Sequence, residues 1–83
     1  MNATVYSKPA CVQCNQTYKA FDKKGLEFSK IDVTKDPDAY DKVVNLGYMQ
    51  APVVVIEKDG EIIDHWSGFN DEKIAEFAEA VAA

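Results

Sequence analysis

Asp59-Gly60 constrains this chain most, because an Asp-Gly pair between two β-prone runs specifies a two-residue hairpin turn. Before it stands Val53-Val54-Val55-Ile56, a continuous β-branched stretch, and after it Ile62-Ile63 begins a return strand that reaches His65 or Trp66. These two strands must be antiparallel neighbours. The same apolar run is the longest in the chain and falls far short of the roughly 20 residues that cross a bilayer, so no membrane span is expected.

The other elements follow from periodicity and end signals. Ala3-Thr4-Val5-Tyr6 reads as a first strand, stopped by the turn-like Ser7-Lys8-Pro9. Cys14, Thr17, Tyr18 and Phe21 then recur at helical spacing, and Lys23-Lys24 with Gly25 supplies the closing charge and cap. Leu26 to Val33 alternates apolar and polar residues with one slip, which predicts a second strand containing an irregularity. Asp36-Pro37 is an N-cap followed by proline at the first helical position. It opens a helix with Tyr40, Val43 and Val44 on one face and Gly47 at its end. Asn70 or Asp71 caps a last helix whose Ile74, Phe77, Ala78 and Val81 share a face, with Phe69 stapled onto Ile74.

The order β-α-β-α-β-β-α joins a right-handed crossover, which makes the first two strands parallel, to a C-terminal hairpin. A four-stranded mixed sheet flanked by three helices is the expected α/β architecture. At 83 residues and 47% hydrophobic content, residues 1–83 read as one globular domain without linker or repeat. Nine basic against fourteen acidic side chains give a formal charge of -5, which leaves counterion release little to work with. Nucleic acids and anionic membranes are therefore not expected partners. Met1-Asn2-Ala3-Thr4 shows no secretory signal, so a reducing cytoplasm is the expected location.

The chemistry lies in the only two thiols, Cys11-Val12-Gln13-Cys14. A bridge over two intervening residues hardly restrains the unfolded chain, so the pair suits switching better than stapling. Cys11 falls at the mouth of the first helix, where free N–H groups and the positive dipole end stabilise a thiolate and lower its pKa. Lys8 either adds a second positive charge or points into solvent. Cys14 shares the stripe of Tyr18 and Phe21, so it should be the less exposed sulfur. The exposed Cys11 would attack a substrate disulfide and Cys14 would resolve the mixed disulfide, a reaction that needs neither metal nor bound cofactor. Two chance inert cysteines are the bland alternative. A zinc or iron–sulfur module is the sharper one, but CxxC is half of a tetrahedral site and only His65 adds a soft ligand.

Three further segments are candidates for contact with a partner. Pro52 stands at the entrance of the apolar strand in Gln50-Ala51-Pro52-Val53. Base frequencies alone make its bond trans, whereas a cis bond would turn the Ala51 backbone outward to pair with an extended substrate. In Trp66-Ser67-Gly68-Phe69, Gly68 permits a bend that leaves N–H groups free for a carboxylate, and Trp66 is either core or contact surface. Tyr48 and Met49 are either core or an exposed apolar patch, and His65 is an ordinary half-exposed strand residue.

Lys8-Pro9-Ala10-Cys11-Val12-Gln13-Cys14, Leu46-Gly47-Tyr48-Met49-Gln50-Ala51-Pro52-Val53-Val54 and Trp66-Ser67-Gly68-Phe69 together resemble the NrdH-redoxins, glutaredoxin-like members of the thioredoxin superfamily. The resemblance implies a thioredoxin fold with a cis Pro52 facing the active site, Cys11 as nucleophile and Cys14 as resolving thiol. It also implies an electron carrier reduced by NADPH-dependent thioredoxin reductase and delivering electrons to a class Ib ribonucleotide reductase; the chain itself is expected to be a monomer. Val12, Gln13, Ala51, Pro52, Trp66, Ser67 and Gly68 form the expected partner-binding set around the two cysteines. Besides a hairpin around Glu57-Lys58-Asp59-Gly60-Glu61 that looks longer than usual and should lie away from the cysteines, two features depart from relatives. Asn70-Asp71 stands where many members have Arg-Pro, and Val12-Gln13 with Gln50-Ala51-Pro52 replaces the Pro-Tyr and Thr-Val-Pro of ordinary glutaredoxins. The second departure weakens a glutathione site and makes a glutathione-dependent glutaredoxin the alternative reading.

Overall fold

The computed structural model describes residues 1–83. Its elements are β1 (Asn2–Ser7), α1 (Val12–Lys23), β2 (Ser29–Asp32), α2 (Pro37–Asn45), β3 (Val53–Lys58), β4 (Glu61–Ser67) and α3 (Asp71–Ala82). The sheet order is β2-β1-β3-β4, with β1 parallel to β2 and antiparallel to β3, and β3 antiparallel to β4. This is the mixed four-stranded sheet and three helices that the element order requires. No helix is long and apolar enough to cross a membrane.

β3 explains its own composition. As an inner strand it is covered on both faces, so Val53, Val54, Val55 and Ile56 are all buried. Alternate side chains serve different cores. Val54 and Ile56 join Ala3, Val5, Phe21, Trp66, Ile74 and Phe77 in the cluster that includes α1 and α3 residues, whereas Val53 and Val55 join Tyr6, Ala39 and Val43 in the cluster that includes α2. Each buried valine or isoleucine contributes about 1.5–3 kcal/mol of transfer free energy. The β3–β4 turn has φ of 54° at Asp59 and 82° at Gly60, so both central residues are left-handed, as a type I′ hairpin demands.

Four expectations are corrected by packing. β2 pairs only over Ser29–Asp32, and Leu26 and Phe28 instead pack against the α1/α3 cluster before pairing begins. On α2 the buried residues are Ala39 and Val43, while Tyr40 and Val44 are exposed, because the helix presents a narrower stripe to the sheet than three apolar positions suggest. On α3, Ile74 and Phe77 are buried but Val81 is exposed, since that position lies in the last turn, beyond the core. Phe69 belongs to neither cluster and is exposed, so it is no staple on Ile74.

One ion pair ties α2 to β3: Lys42 Nζ lies 2.8 Å from Glu57 Oε1 and 5.7 Å from the Tyr6 ring centre. The bond to Glu57, with a smaller contribution from Tyr6, raises the Lys42 pKa above 10.5. A raised cation pKa stabilises fully below the unfolded value and loses that contribution as pH climbs through the folded value. Lys42→Met should therefore cost stability at neutral pH, and its deficit relative to wild type should begin to shrink near pH 10.5 and be lost once pH passes the raised folded value, read by urea titrations. The pair is partly solvated, so the deficit is below about 1 kcal/mol.

Candidate active site

The two sulfurs are placed by the end of one strand and the start of one helix. β1 ends at Ser7, and the turn through Lys8, Pro9 and Ala10 delivers Cys11 to the N-cap of α1 with φ -110° and ψ 107°. Ala10 adopts φ 56°, a left-handed conformation that costs an alanine about 1–2 kcal/mol. That strain directly precedes the first cysteine, and no glycine or asparagine marks it in the sequence.

Cys11 caps with sulfur where a hydroxyl or carboxylate is usual. Its Sγ accepts the Cys14 N–H at 3.1 Å. Cys14, one turn inside the helix, is joined to Cys11 by a disulfide with Cα atoms 5.2 Å apart. Cys11 is 8% exposed and Cys14 2%. The order of exposure is the one expected, but the expectation of an openly exposed Cys11 is corrected, since both residues are buried in the bridged form. Val12 at 73% and Met49 at 83% are instead the prominent apolar side chains here. Thr17, fully buried on the same face as Cys14, donates its hydroxyl to the Gln13 carbonyl at 2.8 Å and ties the first turn to the second.

Three hydrogen bonds gather the other candidate segments around this helix end. The Phe69 N–H donates to Gln13 Oε1 at 3.0 Å, the Gly68 N–H to the Pro52 carbonyl at 2.8 Å, and the Ser67 hydroxyl to the Gln50 carbonyl at 3.2 Å. Gln13, Ala51, Pro52, Ser67 and Gly68 are thus one connected group beside the cysteines. The Ala51–Pro52 bond is cis, as the family resemblance implied and against the frequency of X-Pro bonds in general. The backbone N–H and carbonyl of Ala51 have no partner within the chain.

One site assignment is overturned. Trp66 is 6% exposed and lies in the α1/α3 cluster, because its register opposite Val54 puts it on the core face of β4. It is core and not contact surface, with its Nε1 buried and unpartnered. The Gly68 and Phe69 N–H groups are both consumed by bonds to Pro52 and Gln13, so the N–H groups left for a carboxylate are those of the first turn of α3. Gly68 is favoured by its φ of 81°, and a Cβ there would also crowd Gln13 Oε1 at 3.1 Å.

Tyr48 and Met49 divide between the two readings offered for them. Tyr48 is half-buried at the edge of the α2 cluster, and its hydroxyl lies 2.7 Å from Nδ1 of the exposed His65, whereas Met49 projects into solvent. Lys8 lines an apolar hollow with Tyr6, Tyr48 and Met49. No cluster of three or more His, Cys, Asp or Glu side chains is arranged to hold a metal. The perturbed ionisations lie outside the connected group. Hydrogen bonds from the Thr34 side chain and amide lower the pKa of Asp32, while the Glu57 and Asp64 carboxylates raise Lys42 and Lys73. Sequence reasoning missed the Ala10 conformation and the bridging role of Gln13, whose partner is 56 positions away.

Comparison with known proteins agrees with this geometry. Residues 3–63 match the glutaredoxin family. The glutaredoxin-like protein NrdH of Salmonella typhimurium is 38% identical over 74 residues, covering 89% of this chain and 85% of its own. The solved structure of NrdH-redoxin from Escherichia coli, a glutaredoxin-like protein described as having a thioredoxin-like activity profile, superposes with a TM-score of 0.80. It is 36% identical and the match covers 92% of this chain and 93% of that one. A thioredoxin from Malassezia sympodialis superposes with a TM-score of 0.76 at 23% identity over 98% of this chain and 74% of its own, which establishes the thioredoxin fold.

Proposed function

Since the chain belongs to the glutaredoxin family and is an NrdH-like redox protein with a cysteine pair at disulfide distance, we propose that it is a protein dithiol–disulfide oxidoreductase in which Cys11 attacks and Cys14 resolves. The observation that carries this reading is the Cys11 sulfur at the N-cap of α1, already accepting a backbone N–H. That position favours the sulfur as an anion once the bridge is reduced.

The exchange balances without a bound cofactor. The Cys11 thiolate attacks one sulfur of a substrate disulfide, forming the Cys11–substrate bond and expelling the other substrate sulfur as a thiolate, which takes up a proton. Cys14 then loses its proton and attacks Cys11 Sγ. The mixed disulfide breaks, the second substrate thiolate leaves, and the Cys11–Cys14 bridge forms. Two electrons pass from protein to substrate. The unpartnered Ala51 backbone offers β-type hydrogen bonds to an extended substrate segment beside the sulfurs, while Val12, Gln13, Ser67 and Gly68 frame it.

The acceptor in this proposal is a class Ib ribonucleotide reductase, and the donor is thioredoxin reductase with NADPH. The protein acts as a cytoplasmic single-domain monomer. The activity profile described for the similar E. coli protein supports this donor. Occupation of the Gly68 and Phe69 N–H groups also supports it, because a glutathione carboxylate finds neither donor free. NADPH oxidation should be rapid when thioredoxin reductase, this protein and a disulfide substrate are combined, and slow when glutathione and glutathione reductase replace the first enzyme. The opposite ranking would restore the glutathione-dependent alternative.

A further inference from the structure

Apart from the apolar hollow beside Lys8, the chain has a second concavity, along the outside of α1. Gln16, Lys19, Lys23 and Lys24 line it from the helix, and Phe69 and Asp71 line it from the β4–α3 corner. Positions 16, 19 and 23 fall at i, i+3 and i+7, so they form one stripe on the helix surface. The charge here runs against that of the whole chain. Fourteen acidic side chains outnumber nine lysines overall, yet the groove holds three lysines and one carboxylate.

None of those three lysines is in an ion pair, although Lys42 and Lys73 are. Phe69, 39% exposed and outside both core clusters, stands among them as an apolar contact. One hydrogen bond ties the groove to the segment that holds the redox pair. Phe69 is held by its backbone N–H to Gln13, which lies between the two cysteines. A chain whose disulfide is being exchanged would therefore reach the groove with the residues flanking that disulfide.

We infer that this groove docks an acidic segment, carrying an apolar side chain, of the protein whose disulfide is reduced. The inference rests on the proposed disulfide exchange and adds the chemical class of the partner. Three unpaired ammonium groups complement carboxylates, and Phe69 supplies the uncharged anchor that charge pairing alone lacks. Beyond the Debye length of about 8 Å the repulsion from the chain's net negative charge is screened, so at docking range the local lysines decide the interaction.

The test uses two synthetic peptides with the same disulfide, one flanked by Glu, Asp and Phe and the other by Ser and Gly. Wild type should reduce the acidic peptide with a KM about ten-fold lower at an unchanged kcat, and the preference should disappear in 0.5 M salt, an ionic strength at which about a half-nanometre of water screens exposed charges. Lys19→Glu/Lys23→Glu should abolish the preference without changing kcat on the neutral peptide. Lys19→Gln/Lys23→Gln, which removes charge without reversing it, should reduce the preference about three-fold. Phe69→Ala should weaken the preference at low salt, where wild type shows it. Equal KM values for the two peptides in wild type, or a preference retained by the charge-reversed variant, would overturn the inference. So would a single-stranded oligonucleotide that binds wild type and not the variant when no peptide preference exists. Failure to reduce either peptide would instead refute the exchange reading itself.

Discussion

Cys11→Ser should abolish disulfide reduction, with a loss of at least about a thousand-fold, while Cys14→Ser should accumulate a covalent mixed disulfide with the substrate. The two variants differ because their sulfurs differ in place. Cys11 holds the N-cap of α1, and its Sγ accepts the Cys14 N–H at 3.1 Å. An oxygen at that position still caps the helix but cannot enter thiol exchange, so the fold survives and the chemistry stops. Cys14 lies one turn inside the helix at 2% exposure, too enclosed for first attack but placed to reach Cys11, with Cα atoms 5.2 Å apart. Without it the first step proceeds and the second has no nucleophile. Mass spectrometry of the reaction mixture would show the adduct on Cys11. The reduced protein should also react with iodoacetamide at Cys11 with a pH inflection below about 8.5, the unperturbed thiol value. Adducts on Cys14, or an inflection at the unperturbed value, would reverse the order of attack or remove the helix-end activation.

The elements that the sequence made legible are those whose signals are local. Asp59-Gly60 has positive φ at both residues, Asp36 accepts the Ala39 N–H at 3.1 Å, and Asn70 accepts the Lys73 N–H at 3.1 Å, so each turn or cap residue does what its side chain dictates. The spacing of Cys11 and Cys14 likewise states its own geometry. What stayed illegible depends on partners distant in the chain. The alternation from Leu26 to Val33 reports burial, and only part of that burial is strand pairing, because Leu26 and Phe28 reach the core without a neighbouring strand. The N–H groups at Gly68 and Phe69 look free in any local window. Their acceptors come from Pro52 and Gln13, which nothing near residue 68 announces. Trp66 and Phe69 are similar aromatic residues three positions apart, yet one is core and the other faces the lysine groove, since the left-handed turn at Gly68 separates their directions.

That last contrast carries the second large prediction. Phe21→Ala should destabilise the fold by about 3–5 kcal/mol, whereas Phe69→Ala should cost less than about 1 kcal/mol. Phe21 is fully buried, and its ring centre lies 5.0 Å from that of Phe28 and 6.0 Å from that of Phe77, so truncation opens a cavity between α1, α3 and the segment leading into β2. Phe69 is already 39% exposed and lines a surface groove, so its removal leaves no cavity. In a domain of this size each kcal/mol moves the melting temperature by about 4–8 °C, which makes the Phe21 shift roughly 12 to 40 °C. A small domain holds about 5–15 kcal/mol in total, so the variant sits near the threshold of folding. Differential scanning calorimetry of both variants decides the matter: equal shifts would mean that Phe69 belongs to the core as much as Phe21 does. The consequence reaches the sulfurs, because Phe21 anchors the buried face of the helix whose first turn holds Cys14 and whose N-cap is Cys11. Where the Phe21 variant remains folded, looser anchoring of α1 should slow alkylation of Cys11 at neutral pH by weakening the N–H bond that favours its anion.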